Sequence, residues 1–317
     1  MNILCPNQTL VNWRNEYCEG KVDFAICSTC VSSAEGSSTL GRLASSLTIP
    51  INGRLYRMFG LAACANQIPA QRRVLSEIRL LNFLRDNAWI DVLNPWFYAV
   101  FALNGFSTQR LSYFPSPFFE ANRFVPDSPS LDEGAKVKFL FVGRLSVHKG
   151  VDLLIQALQL LGQFKHRFSV SFVGKHTDPE LIQRIQRLAD CGFALTLAGE
   201  IENEAMALHY RDADYLLFPS LRGSGDMLPM VIQEAFQNDL AVVSSDIPAA
   251  KSLVKDGVNG YLFGADDKYD LCRVIRKIIE TPRTLNFKYR AQLDGGSDKY
   301  HYYEAIYQRN SSRVHLS

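Results

Sequence analysis

No run of apolar residues in this chain reaches the roughly 18 needed to span a bilayer, which excludes a membrane-spanning helix by composition. The opening "MNILCPNQTL" lacks the basic start and long apolar stretch of an export signal, so the expected location is the cytoplasm. Net charge is only +2, and charge alone therefore points to no nucleic-acid partner. Cysteines number seven, an odd count that argues for reduced thiols rather than a disulfide framework. "CSTC" is a lone C-x-x-C; Cys5, Cys18, Cys27 and Cys30 could supply four zinc ligands, but the paired spacing of a zinc site is missing. The plainer reading of "FAICSTC" is a half-buried strand. No internal repeat and no low-complexity tract occurs.

What remains is an ordinary globular composition, 47% apolar and 21% charged. At 317 residues the chain is too long for one core of about 150 residues, so two domains are expected. The second half is the more regular. "VKFLFV", "FSVSFV", "FALTLAG", "DYLLFPS", "LAVVSSD" and "GYLF" read as buried strands. They alternate with helices in "VDLLIQALQLL", "DPELIQRIQRLAD", "NEAMALHYRDA", "LPMVIQEAF" and "DKYDLCRVIRKIIE". Asp178 and Pro179 mark one helix start. That alternation implies an α/β fold with a parallel sheet whose ligands bind beyond the carboxyl ends of the strands. In the first half "VDFAIC" reads as a strand and "RRVLSEIRLLNFLRD" as an amphipathic helix. "WIDVLN" and "RLSYFPSP" read as strand-to-loop segments. "VPDSPSLDEGA", residues 125–135, has linker composition. The expected division is 1–133, 134–285 and a terminal segment 286–317.

Between Gly53 and Asn87 six arginines (54, 57, 72, 73, 79 and 85) face two acids, Glu77 and Asp86, with apolar residues interleaved. Such a stretch suits peripheral contact with anionic lipid headgroups; a solvated face with snorkelling arginines is the alternative.

Two stretches carry chemistry. In "FVGRLSVHKGVD" a buried strand ends at Gly143, Arg144 follows at its carboxyl edge, and Lys149 precedes the next helix. Two cations beside a helix N-terminus suit a phosphate or diphosphate. Neither the P-loop nor the G-x-G-x-x-G spacing is present. In "PSLRGSGDMLPMVIQEAF" Gly223 and Gly225 make a pliable loop, and Pro229 suits a helix's first turn. The free amides near Leu228 and Met230 would then point into the same cleft, where the dipole favours an anion. Glu234, further along, can accept the hydroxyls of a ribose. Asp226 and Glu234 are not read as a hydrolase pair. Retaining glycosidases hold their carboxyls about 5 Å apart, whereas this loop and helix would separate them by roughly 10 Å or more.

In order, these motifs resemble the retaining GT-B glycosyltransferases of family 4, the glycosyl transferases group 1. "FVGRLSVHKGVDLLIQAL" is similar to that family's strand, GRL and KG helix unit, and "DMLPMVIQEA" to its E-x7-E element. The likeness runs from about residue 137 to 280. It implies two Rossmann-like domains facing a cleft, the second binding a nucleotide-diphosphate sugar. Arg144 and Lys149 become ligands of the donor diphosphate and Glu234 the ribose ligand. Asp226 lies beside the donor sugar. It further implies transfer to a glycan or lipid-linked acceptor with retention of configuration, in surface polysaccharide or glycolipid synthesis, with no metal and no other cofactor. The chain departs from the pattern in several places. Asp226 is a methylene shorter than the family's glutamate, and Asp239 stands where glycine is expected. Lys251 stands where an acid is common. The first half is short for an acceptor domain. It has no Gly-Gly pair, and all six histidines lie at 148 or later, so the family's N-domain histidine has no counterpart. A catalytically inactive nucleotide-sugar-binding homologue or partner subunit is therefore the second expectation. A nucleotide-sugar epimerase lacks an identifiable acid–base set.

Overall fold

A parallel sheet covered on both faces needs strands that are apolar almost throughout, and the second half of the chain supplies them. In the computed structural model the described residues are Cys18, 21–34, 69–92, 95–113, 136–224, Asp226 and 229–281. Six parallel strands, β3 (Val137–Val142), β4 (Phe168–Val173), β5 (Ala194–Gly199), β6 (Tyr215–Phe218), β7 (Ala241–Ser245) and β8 (Gly260–Phe263), form one sheet in the order β5-β4-β3-β6-β7-β8. The chain runs outward from β3 to β5, crosses back to lay β6 beside β3, and runs outward again to β8. Strand order thus reverses between β3 and β6, the position at which open α/β sheets form a ligand crevice.

Helices fill the connections: α4 (Val151–Leu160), α5 (Pro179–Asp190), α6 (Asn203–Arg211), α7 (Met230–Gln237), the short α8 (Pro248–Lys251) and α9 (Lys268–Glu280). Two of them start on a side-chain cap. Asp178 accepts the amides of Glu180 and Leu181 ahead of α5, and Asp267 does the same for Tyr269 and Asp270 ahead of α9. Val151, Leu154, Ile155 and Leu158 recur at helical spacing and bury α4. Phe139, Phe168, Phe172, Tyr215 and Phe263 are the largest fully buried rings of the sheet. Full burial of such a side chain contributes roughly 1.5–3 kcal/mol.

Asp239, after α7, adopts φ 56°, the left-handed region. This explains why a glycine is expected there: a Cβ costs energy in that conformation, and aspartate is among the residues that tolerate it.

In the first half α1 (Phe24–Ala34) packs on α2 (Pro69–Asn87) through Phe24, Val31, Val74, Leu75 and Ile78. "VDFAIC" is thus helical, which corrects the strand expected there. Asp23 Oδ1 accepts the amides of Ala25 and Ile26 and caps the helix, and burial recurs at Phe24, Ser28 and Val31, every third or fourth residue. The amphipathic helix is present as α2. Strands β1 (Ile90–Val92) and β2 (Leu111–Tyr113) pair in parallel around α3 (Pro95–Leu103). Leu81, Val92, Phe97, Val100, Phe101, Phe106 and Leu111 form a second small core. Among the described residues no helix is long and apolar enough to cross a membrane, and no group of three or more His, Cys, Asp or Glu could hold a metal ion. Cys5, the linker 125–135, the terminal segment 286–317, residues 53–68 of the arginine-rich stretch, Gly225 and Leu228 lie outside the described residues.

Candidate functional site

Backbone contact between two loops builds the site. After β3 the chain passes Gly143 and Arg144, makes a 3-10 turn over Val147–Lys149, and enters α4 through Gly150 at φ 72°. A Cβ on Gly150 would stand 1.8 Å from the carbonyl oxygen of Pro219, which follows β6. Leu221 also donates its amide to the carbonyl of His148 at 3.1 Å. The two loops at the reversal of strand order are therefore packed main chain on main chain. Gly174, after β4 at φ 134°, makes a similar approach: a Cβ there would meet the carbonyl oxygen of Gly143 at 2.1 Å. Further on, Arg222 moors the β6 loop, giving its amide to Asp266 Oδ1 at 3.0 Å and its Nη2 to the carbonyl of Ala265 at 3.1 Å.

A cavity of about 520 Å³ opens at the carboxyl ends of β3, β4 and β5, a size ordinary for a small-molecule site. Its lining includes Gly143, Arg144, Lys175, Glu200, Met206 and Glu234. Arg144 and Glu234, 90 positions apart in the chain, thus border one space. Glu234 is half-buried on α7, and its Oε2 accepts the hydroxyl of Tyr210 at 2.7 Å. Tyr210 is 2% exposed. Burial, then the bond to Glu234 and that residue's negative charge, push the Tyr210 hydroxyl above its ordinary value of 10.0, so it stays neutral and donates.

Lys149 and Asp226 are not among the residues lining this cavity; they form an ion pair with each other, Lys149 Nζ on Asp226 Oδ1. Their side chains are 23% and 11% exposed, so water screens the pair less than a surface one. Ser224 Oγ donates to the other oxygen of Asp226 at 3.0 Å. Pro229 is buried and is the N-cap of α7 rather than its first helical residue; Met230 begins the helix and is 43% exposed. No side chain caps this N-terminus. Lys251 stands 3.9 Å from Asp246 in a partly exposed pair.

Residue patterns alone missed Lys175, Glu200, Glu202, Met206 and Tyr210. For Lys175 and Glu200 a signal was available, because Glu200 directly follows β5 and Lys175 is two residues past β4, where ligands of a parallel sheet gather. Tyr210 had none, since its partner is 24 residues away.

Residues 127–294 match the sequence profile of the glycosyl transferases group 1, just over half of the chain. The chain belongs to this family. Proteins with similar sequences include a phosphatidyl-myo-inositol mannosyltransferase of Mycolicibacterium smegmatis, 31% identical over 160 residues, 49% of this chain and 39% of that one. An amylovoran biosynthesis glycosyltransferase of Erwinia amylovora is 27% identical over 147 residues, 45% and 36% of the two. The matched stretch therefore spans well under half of the length of these relatives. Among solved structures, Anabaena HepE in complex with UDP superimposes with a TM-score of 0.54 at 20% identity, covering 86% of this chain and 77% of that one. The group 1 chain thus shares the GT-B fold, as its sequence pattern implied.

Proposed function

We propose that residues 134–285 form the donor domain of a glycosyltransferase that moves a sugar from a nucleotide-diphosphate sugar to a glycan or lipid-linked acceptor. The observation that carries this reading is the meeting of Arg144 and Glu234 on one cavity. The cavity's charges divide the ligand. Three acids, Glu200, Glu202 and Glu234, stand against two cations, Arg144 and Lys175. Such a lining favours groups that donate hydrogen bonds, the ribose hydroxyls and base of a nucleoside, over a doubly charged phosphate pair. The diphosphate falls to the border formed by Arg144, Lys149 and the first amides of α7.

Catalysis then rests on charge. As the glycosidic bond stretches, negative charge builds on the diphosphate oxygens. Fixed cations and oriented amides stabilise that charge more in the transition state than in the ground state. Lys149 reaches the diphosphate by leaving Asp226, and Asp226, released, turns to the hydroxyls of the donor sugar. A diphosphate leaves without a protonating acid, and its oxygen receives the acceptor hydroxyl's proton on the same face. Retention of configuration follows, and the reading needs no metal and no further cofactor. HepE, a fold neighbour, was solved with UDP, and the names of relatives include a phosphatidyl-myo-inositol mannosyltransferase and an amylovoran biosynthesis glycosyltransferase. They favour a uridine-type donor panel and a surface-glycan or glycolipid product.

The test is a thermal-shift screen against UDP-, GDP-, ADP- and TDP-sugars, followed by a transfer assay with the donor that stabilises most. The reading expects a raised melting temperature with at least one donor and release of its diphosphate; no shift with any of them overturns it. The ion pair of Lys149 with the short Asp226 supports a second reading, a chain that binds the donor and transfers nothing. Tight binding without donor turnover would select it. On α2 the exposed Arg72, Arg73 and Arg79 stand with Phe83, 63% exposed. We assign this face to anionic lipid at the inner surface of the membrane. Co-sedimentation with phosphatidylglycerol vesicles that survives removal of these three arginines would reject it.

A further inference from the structure

We infer that Tyr210 is a positioning residue for nucleotide recognition: it holds the Glu234 carboxylate in the orientation that accepts a ribose hydroxyl, and so sets a preference for ribonucleotides over 2′-deoxyribonucleotides. The inference rests on the reading of Glu234 as the ribose ligand. Three observations carry it. Tyr210 Oη donates to Glu234 Oε2 at 2.7 Å, while Oε1 accepts no hydrogen bond among the described residues. Oε1 is thus the oxygen left for a ligand in the cavity that Glu234 lines. Second, Tyr210 is buried, so its hydroxyl needs this bond; losing the partner would leave a buried donor unsatisfied. Third, Met206, one helical turn before Tyr210 on α6, lines the same cavity. One face of α6 therefore meets both the space and the acid that borders it.

The chemistry of the donor matters. A glutamate stem has freely rotating bonds, and a carboxylate must be turned correctly to meet a hydroxyl at hydrogen-bond distance. A lysine or arginine in place of Tyr210 would orient Glu234 but also neutralise it. A neutral hydroxyl orients the group and leaves its full charge for the ribose, where a bond to an ionised acceptor is about twice as strong as a neutral one. The hydrogen bond from Asn238 Nδ2 to the Glu234 carbonyl, 2.8 Å, fixes the helix end but not the side chain.

The experiment measures the dissociation constants of UDP, GDP and ADP and their 2′-deoxy counterparts by calorimetry. It uses the full chain as wild type, Tyr210→Phe, Glu234→Ala and the double variant. Circular dichroism and melting temperature check that each is folded. With the nucleotide that binds best, the wild type is expected to prefer the ribose form. Tyr210→Phe should reduce that preference by about tenfold, the lower end of what one hydrogen bond to a charged group contributes, with little change for the deoxy form. In the Glu234→Ala background, adding Tyr210→Phe should change neither constant, because the two act through one carboxylate. Equal weakening of both forms by Tyr210→Phe, or an undiminished preference, overturns the inference and leaves Glu234 as a ligand. Equal affinity of the wild type for both forms, or no binding of any nucleotide, removes the ribose role of Glu234 itself, and the inference with it.

Discussion

Asp226 and Glu234 occupy the two ends of one eight-residue interval, yet their surroundings differ in kind. Asp226 is held by a cation, Lys149, and by the Ser224 hydroxyl. Glu234 is held by a neutral phenol and borders a cavity. An acid paired with a lysine has its charge largely cancelled, and its lysine is withheld from other anions. An acid held by a hydroxyl keeps its charge to offer. The contrast follows environment rather than residue type: one carboxylate is paired with a cation, the other is held by a neutral hydroxyl at the edge of the cavity.

Removing each partner in turn probes that contrast. The largest effect is expected from Lys149→Ala. A fixed cation at a developing charge contributes on the order of 2.7–4 kcal/mol to turnover, so initial rates of donor cleavage should fall by roughly 10²–10³; unchanged rates would end the phosphate role. Glu234→Ala comes next. Losing a charged hydrogen-bond acceptor should weaken nucleotide binding by about 1.5–3 kcal/mol, measured by calorimetry, with turnover of bound donor less affected. If turnover fell and affinity held, the two acids would have exchanged roles.

Asp226→Asn should act in the opposite direction on the bare nucleotide. It releases Lys149, so the nucleoside diphosphate without sugar should bind more tightly, by about 1 kcal/mol at low salt. Weaker binding would show that the pair is needed to place the lysine. The smallest effect concerns pH. Because the Tyr210 hydroxyl is raised in the folded chain, the unfolded chain loses that proton first as pH climbs past 10.0. By linkage, stability falls as pH rises above that value. Melting curves from pH 9 to 11 should therefore fall more steeply for the wild type than for Tyr210→Phe; identical slopes would mean that Tyr210 titrates normally.

Much of this was legible in the residues, for reasons that differ by region. The strands from Val137 onward are short apolar runs set between amphipathic helices, and a sheet covered on both faces leaves no other use for them. Arg144 and Lys149 could be read because they flank Gly143 and Gly150 at a strand-to-helix corner. "VDFAIC" was misread because a short apolar run has no period of its own; what decides it is the Asp23 cap and the groove offered by α2, the latter a tertiary contact. Likewise "HYRDADYLL" shows a polar helix end running into a strand. That Tyr210 meets Glu234 depends on how α6 and α7 pack, which no local pattern records. The ion pair of Lys149 with Asp226 was hidden for the same reason, although both residues stood out separately.

The missing Cβ of Gly150 has a consequence for how this site can change. Main-chain atoms of the β3 and β6 loops touch there, so any side chain at 150 would push the corner that carries Arg144 and Lys149 away from Pro219.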